Sequence, residues 1–305
     1  MKIFLTGGTG MVGRNISALA EQKGYQVYAP GRNELDLSSM SAVQNYLSEL
    51  QPDIVIHCAG LVGGIQANIA APYDFCFQNL QMGMSVIQAA YAAGIKKLIN
   101  LGSSCMYPRF AENPLKEEQI LTGELEPTNE GYAVAKVAVA RLADYLSSQY
   151  GVEYKTYIPC NLYGYWDKFD PKKSHMIPAV IRKLDTAVRD GCETVDIWGD
   201  GLARREFMFA EDLAAFILFS LDKFSEVPSN INVGLGTDYS INEFYEAIAK
   251  AVRYEGRFVH DLSKPAGMKQ KLVDISKQTQ LGWSPKTSLE EGIRKTYEFY
   301  LKEVL

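Results

Sequence analysis

Tyr132 and Lys136, in the run GYAVAKVAV, stand four residues apart and so share one face of any helix that carries them. In water a tyrosine hydroxyl has a pKa of about 10, too high for efficient proton transfer at neutral pH. A lysine ammonium beneath it, with the positively charged ring of an oxidised hydride carrier nearby, favours the phenolate and lowers that value, so the pair reads as an acid–base group tuned by charge. A second candidate lies upstream in KKLINLGSSCMYP, where an apolar run ends in Ser103 and Ser104. A hydroxyl at the tip of such a strand can hydrogen-bond a substrate carbonyl. Ser103, Tyr132 and Lys136 together therefore suit hydride transfer at that carbonyl. Cys105 follows at once, and is either a small buried hydrophobe or a second piece of chemistry.

The N-terminus offers a place for the hydride carrier. In KIFLTGGTGMVGRNI an apolar strand runs into Gly7, Gly10 and Gly13 at a helix start. Gly7 permits a tight turn, Gly10 lets backbone approach a pyrophosphate, and Gly13 allows close helix–strand packing. Free N–H groups along Thr9, Met11 and Val12 then face the phosphates. The next strand, YQVYAP, should end near an adenosine ribose, where an NAD enzyme usually carries an acidic residue. Pro30-Gly31-Arg32 stand there instead. An arginine favours a 2′-phosphate, hence NADP(H), the alternative being a merely solvated side chain. Asp36, and Ala59 and Gly60 at the end of DIVIHCAG, complete the expected cofactor surface, where Lys136 would also hold the nicotinamide ribose.

The positioning elements alternate. Strand-like runs (KIFLTG, YQVYAP, DIVIHCAG, KKLINLGSS, EYKTYIPCNLYG) are separated by helical patterns from Met11, over 39–50, over 71–93 and through YAVAKVAVARLADYLSSQYG. Such alternation predicts an α/β fold, a doubly wound parallel Rossmann sheet with helices on both faces. From Tyr165 loops lengthen, tryptophans appear and the signals mix, so a smaller C-terminal substrate lobe is expected. The Rossmann domain is placed at 1–164 with about 207–235, and the lobe at 165–206 with 236–305. REFMFAEDLAAFILFSL and NINVGLG are expected to return to the main sheet.

Bulk composition sets exclusions. The 305 residues carry a net charge of −5 with no basic stripe, which argues against a nucleic-acid or membrane partner. No apolar run approaches a membrane span or a signal peptide. The five cysteines are scattered and never in CxxC spacing, as free thiols in a reducing cytoplasm would be. With only three histidines besides, no metal centre is expected.

Longer strings carry a resemblance. VGGIQAN, GSSCMYP, LEPTNEGYAVAK, NLYG, KSHMIPAVIRK, WGDGLARREF and the KPAG…KLVD…LGW tail resemble the extended short-chain dehydrogenase/reductases almost end to end, as does the GxxGxxG spacing. Within them the chain is similar to the GDP-L-fucose synthases, NADPH-dependent 3,5-epimerase/4-reductases of GDP-4-keto-6-deoxymannose. The resemblance implies that Cys105 and His175 are the base and acid that invert carbons beside the ketone. Left to itself, His175 is equally a helix-start residue. It further implies that Lys183, Trp198, Arg205 and Lys271 grip the GDP-sugar, that Asn68 and Ser104 lie near the sugar, that Asn161 and His175 also touch the cofactor, and that the protein is a homodimer. Arg204-Arg205 is the most telling pair, since consecutive arginines in an apolar context need an anionic partner.

The sequence departs from the family pattern at NEGY for NEPY, at Gly164–Phe169 (GYWDKF), which sets aromatic bulk beside the expected sugar pocket, and at Thr9, where some members carry a basic residue. A GDP-L-colitose synthase, acting on the 3-deoxy sugar with inversion at C5 alone, and a GDP-heptose reductase are alternatives. From another class comes a non-catalytic NADP(H) sensor on the same sheet, which would have no need of Ser103, Tyr132 and Lys136 together.

Overall fold

The computed structural model describes residues 1–170, 174–263 and 268–305; Lys173 and the KPAG segment of the family strings lie outside the described residues. The first half runs β1 (Lys2–Thr6), α1 (Met11–Gln22), β2 (Gln26–Tyr28), α2 (Met40–Leu50), β3 (Ile54–His57), α3 (Ile65–Ala70), α4 (Pro72–Ala92), β4 (Lys97–Leu101), α5 (Glu130–Tyr150) and β5 (Glu153–Pro159). Then follow β6 (Asn161–Tyr163), α6 (Met176–Asp190), β7 (Thr194–Trp198), β8 (Arg204–Arg205), β9 (Phe207–Phe209), α7 (Ala210–Leu221) and β10 (Asn230–Val233). The chain closes with β11 (Tyr239–Ser240), α8 (Ile241–Val252), β12 (Arg257–Asp261), β13 (Gln270–Lys271), α9 (Ser276–Gln280) and α10 (Leu289–Glu303).

Six strands form one parallel sheet in the order β10-β5-β4-β3-β1-β2. Each central strand is apolar on both faces, as a sheet covered twice requires. Ile3, Leu5, Ile54, Ile56, Ile99 and Leu101 pack with α1 and α7, while Phe4, Val55 and Leu98 pack with α2 and α4 on the other side. From β1 the chain winds outward to β2, then crosses back to β3 and beyond. The carboxyl ends of β1 and β3 therefore part to leave the crevice in which doubly wound sheets bind ligands.

Two sequence expectations fail for local reasons. EYKTYIPCNLYG is not one strand: Cys160 N–H bonds to Val233 O (3.0 Å), and the chain then leaves the sheet as β6. Phe207–Phe209 does not rejoin the main sheet either, but pairs in parallel with β6. Asn230–Val233 returns as a strand, beside β5, and Ala210–Leu221 returns as the helix α7 that covers the sheet. A second apolar cluster draws on α6, α8 and α10, with Phe207 and Phe209. Tyr165 packs on Phe209 and Phe299, and Trp166 on Phe299, so the aromatic bulk of the GYWDKF segment lies on the C-terminal helix.

Glu206 fastens the second set of strands to the first. Its side chain is 1% exposed, and its carboxylate accepts from the backbone N–H of Leu235 (2.6 Å), Gly236 (2.8 Å) and Val273 (2.9 Å). That one group joins the exit of β10, the approach to β9 and the segment after β13. Glu206→Ala leaves three buried donors unpaired and should cost about 3 kcal/mol or more. Urea unfolding at fixed protein concentration measures this, and a loss below about 1 kcal/mol would refute the anchoring role.

Candidate active site

The crevice is shaped by close backbone contact. Gly7 has φ +73°, and a side chain there would press within 2.8 Å of Ala59 N. A methyl on Gly13 would collide with the Gly7 carbonyl, so α1 can start hard against the turn only with glycine at both positions. Gly10 takes the N-cap position of α1 and supplies no side-chain cap, leaving the first N–H groups, through Met11 and Val12, open to an anion. Thr9 is exposed, and its carbonyl accepts from Arg14 Nε (3.1 Å). The ends of β1 and β3 are tied by Thr6 Oγ1, which accepts from Ala59 N–H (3.2 Å) and bonds His57 Nδ1 (2.8 Å).

Beyond β2, Arg32 and Asp36 are both exposed. Two hydrogen bonds from Ser38 and the nearby Arg32 charge hold the Asp36 carboxyl below its ordinary value. The arginine therefore stands at the expected ribose end, with a carboxylate within its field.

The candidate residues Ser103, Ser104, Cys105, Tyr132 and Lys136 gather at the end of β4 and the first two turns of α5. Ser103 caps a short helical turn, Ser104–Met106, its Oγ accepting from Cys105 N–H (3.2 Å). Ser104 is buried beneath it. Lys136 is 7% exposed; its Nζ donates to Leu101 O (2.8 Å) and lies 5.8 Å from the Tyr132 ring centre. Gly60 comes close to the same ammonium, since a side chain there would lie 3.8 Å from Lys136 Nζ. Burial lowers the Lys136 pKa to about 8, against the pull of the Cys58 and Cys105 thiols.

In the protein alone, Lys136 does not bring the Tyr132 pKa down. Burial pushes the phenol up, the Cys105 charge adds to this, and a hydrogen bond with Ser103 opposes it. Tyr132 is thus held protonated at neutral pH, the state a proton donor needs. His175 stands at the N-cap of α6, makes no side-chain cap bond and keeps an exposed surface; partial desolvation by the surrounding chain, then the Lys168 charge, lowers its pKa. Its neutral ring retains one N–H and one lone pair. The loop before α3 approaches the same segment, where a side chain on Gly64 would lie 3.6 Å from Ser174 O.

The C-terminal strands bring one cation to the thiol. Lys271 Nζ lies 3.8 Å from Cys105 Sγ, and Lys271 pairs in register with Arg205 across β13 and β8. Arg204 is satisfied by Asp238 (2.7 Å) and Glu243. Arg205 bonds only its neighbour's carbonyl (2.7 Å), with no carboxylate partner among the described residues, and burial lowers its pKa. Of the consecutive arginines, therefore, only Arg205 is left for an external anion.

Lys183 and Trp198 form a separate group about Asp196. Lys183 Nζ bonds Asp196 Oδ1 (2.8 Å), and the half-exposed Trp198 hydrogen-bonds the same side chain. The Asn161 amide donates to Glu206 O (2.9 Å). Asn68 is buried, donates to Gly63 O (2.9 Å) and Gly64 O (3.1 Å), and leaves its Oδ1 unpartnered. Asn129 and Glu206 were not singled out from sequence. Asn129 lies inside the quoted LEPTNEGYAVAK string, where its distance of three residues from Tyr132 was the available signal.

His57 is buried and falls to about 3, so it stays neutral, while burial raises Cys58 to about 12 and Cys160 well above its ordinary value. Among the described residues, no three His, Cys, Asp or Glu are placed to hold a metal ion, and no helix is long and apolar enough to cross a membrane.

A glycine-lined crevice, a strand-end serine and a YxxxK helix define an extended short-chain dehydrogenase/reductase. The chain belongs to the NAD dependent epimerase/dehydratase family, whose profile matches residues 3–234. It is 53% identical over 304 residues to a GDP-L-colitose synthase of Yersinia pseudotuberculosis, covering 99% of each chain. It is 48% identical over 300 residues to a GDP-L-fucose synthase of Azorhizobium caulinodans, covering 98% of this chain and 96% of that one. Among solved structures, the GDP-mannoheptose C4 reductase of Campylobacter jejuni, with NADP bound, superposes with a TM-score of 0.89 at 33% identity, covering 99% of this chain and 98% of that one.

Thiol reactivity should follow these environments. At pH 7.5, iodoacetamide should label the exposed Cys192 and leave Cys58 and Cys160 unmodified in the native protein. Peptide-resolved mass spectrometry reads this directly, and prompt labelling of Cys58 would contradict its assignment as an inert thiol.

Proposed function

We propose that the protein is an NADPH-dependent epimerase/reductase of a GDP-4-keto-6-deoxyhexose, yielding GDP-L-fucose. The observation that carries this reading is the convergence on Cys105: Ser103, Tyr132 and Lys136 reach it from the sheet edge, and Lys271, alongside Arg205, from the C-terminal strands. A simple carbonyl reductase needs the first three groups and has no use for a thiol flanked by a cation.

The residues present fit NADP(H). Gly7, Gly10 and Gly13 with the open N-terminus of α1 suit the pyrophosphate, and Arg32 the 2′-phosphate. Ala59, Gly60 and Lys136 lie along the route to the ribose. When bound, NADPH supplies a hydride at C4 of the sugar. Ser103 and Tyr132 hold the C4 carbonyl oxygen, which makes the neighbouring C–H bonds acidic because the charge left on carbon spreads to that oxygen. Cys105 and His175 take and return the proton on opposite faces of the ring. Tyr132, protonated through the neutral range, then passes its proton to the oxygen at C4. Arg205 and Lys271 suit the diphosphate; Lys183, Trp198, Asn68, Ser104 and Asn161 are assigned the surrounding substrate and cofactor contacts.

The 53% identity to a GDP-L-colitose synthase favours a second reading, in which the sugar lacks its C3 hydroxyl and only C5 is inverted. The same Cys105/His175 couple serves either sugar. The division into a Rossmann domain and a substrate lobe belongs to the same proposal. Two apolar clusters support it, although Val273, Leu281 and Trp283 from the C-terminal part pack with the first. So does a reducing cytoplasm, which five free cysteines suit. A homodimer is likewise proposed, on the exposed apolar side chains of α4 (Tyr73, Phe77, Met84) and α5 (Val134, Tyr145).

Incubation with NADPH and either GDP-4-keto-6-deoxymannose or its 3-deoxy analogue should identify the sugar by the rate of NADPH oxidation. Cys105→Ala should bind NADPH normally and lose solvent deuterium exchange by at least about 100-fold, while Tyr132→Phe should keep exchange and lose reduction to a similar degree. Wild-type exchange in the first variant, or wild-type reduction in the second, would overturn the respective assignment. Phe77→Asp should convert the dimer to monomer in sedimentation velocity, and an unchanged sedimentation coefficient would exclude this face as the interface.

A further inference from the structure

Asn129 occupies the N-cap position of α5, where an asparagine ordinarily turns its side-chain oxygen onto the helix's own N–H groups. Here it makes no such bond, and the short helical turn Pro127–Asn129 that runs into α5 is capped instead by Glu126, whose carboxylate accepts from Thr128 N–H (3.4 Å). Its backbone N–H closes the preceding turn onto Glu126 O (3.1 Å), and its side chain turns into the site. Nδ2 donates to Cys105 Sγ at 3.0 Å, nearer than Lys271 Nζ at 3.8 Å. Its Oδ1 is buried with no partner. The residue forgoes a helix cap and leaves an acceptor unpaired, and what it gains is one hydrogen bond to sulfur. Sequences give up local stability in this way where a functional group must be held.

We propose that Asn129 is the positioning residue of the acid–base thiol. Its amide donates to the Cys105 thiolate, favours that form, and fixes the direction in which sulfur meets the sugar. This rests on the reading of Cys105 given above. Proton balance is simple: the C–H bond breaks as S–H forms, the electron pair passes to the carbonyl oxygen, and the reverse delivers the proton. An amide suits both states of the sulfur. Nδ2–H serves the thiolate, and Oδ1, brought round by a half-turn of the side chain, can accept from S–H. The other titratable groups acting on this sulfur are Lys271 from β13, and Tyr132 and Lys136 from α5. The two ammonium groups supply charge there, while Asn129 supplies a directed donor that does not itself titrate.

The test is the pH dependence of Cys105 alkylation by iodoacetamide, followed peptide by peptide by mass spectrometry, with Cys192 as internal reference. Asn129→Asp keeps the shape and the helix-capping ability of the residue but removes the donor, and Asn129→Ala removes the side chain. Each should move the Cys105 titration up by about one pH unit, Asp further than Ala, so that labelling at pH 7 falls about tenfold while Cys192 is unaffected. Titrations that superpose on wild type in both variants would overturn the proposal. The readout is labelling and not turnover. Normal deuterium exchange in Cys105→Ala would therefore remove the catalytic reading of the thiol, and would be told apart from an unshifted alkylation curve.

Discussion

The bond from Lys136 to the Leu101 carbonyl is the constraint on which the site depends. An ammonium buried beneath the first turns of α5 must be compensated, and a hydrogen bond to a charged group is worth about 1.5–3 kcal/mol. Here the compensating group is the last carbonyl of β4. That one bond fixes α5 against the sheet edge, so Tyr132 on the helix meets Ser103 and Cys105 just past the strand. It also brings the ammonium against Gly60, at the exit of β3. Helix, two strand ends and crevice are thereby held in one register.

The same burial decides the protonation states. Tyr132 is pushed up and stays protonated, while Lys136 is pushed down. A sheet edge that keeps its phenol protonated suits the donor role proposed for Tyr132. The Lys271 ammonium reaches the thiol through a strand pair whose position is set by the buried carboxylate of Glu206.

Much of this was legible in the sequence. The alternation of apolar runs and helical patterns announced the parallel sheet, because strands covered on both faces leave a continuous apolar signature. The glycine loop, Ser103, Tyr132 and Lys136 were legible because each sits where a strand or helix period places it. The short pairings of the second lobe were not. Two-residue strands such as Arg204–Arg205 and Gln270–Lys271 carry no periodicity, so nothing local indicated that Lys271 would reach Cys105. The upward push on Tyr132 in the protein alone was not legible, because spacing reports which residues are neighbours but not how deeply they are buried. Asn129 escaped notice because an asparagine before a helix reads as a cap, and only the structure reveals that the cap bond is not made.

The most direct measurement is a crystal structure of the protein with NADP+ and GDP-L-fucose. The account predicts the sugar's C4 oxygen within hydrogen-bond distance of both Ser103 and Tyr132, with Cys105 and His175 on opposite faces of the pyranose. Finding both side chains on one face, or either remote from the ring, would contradict it.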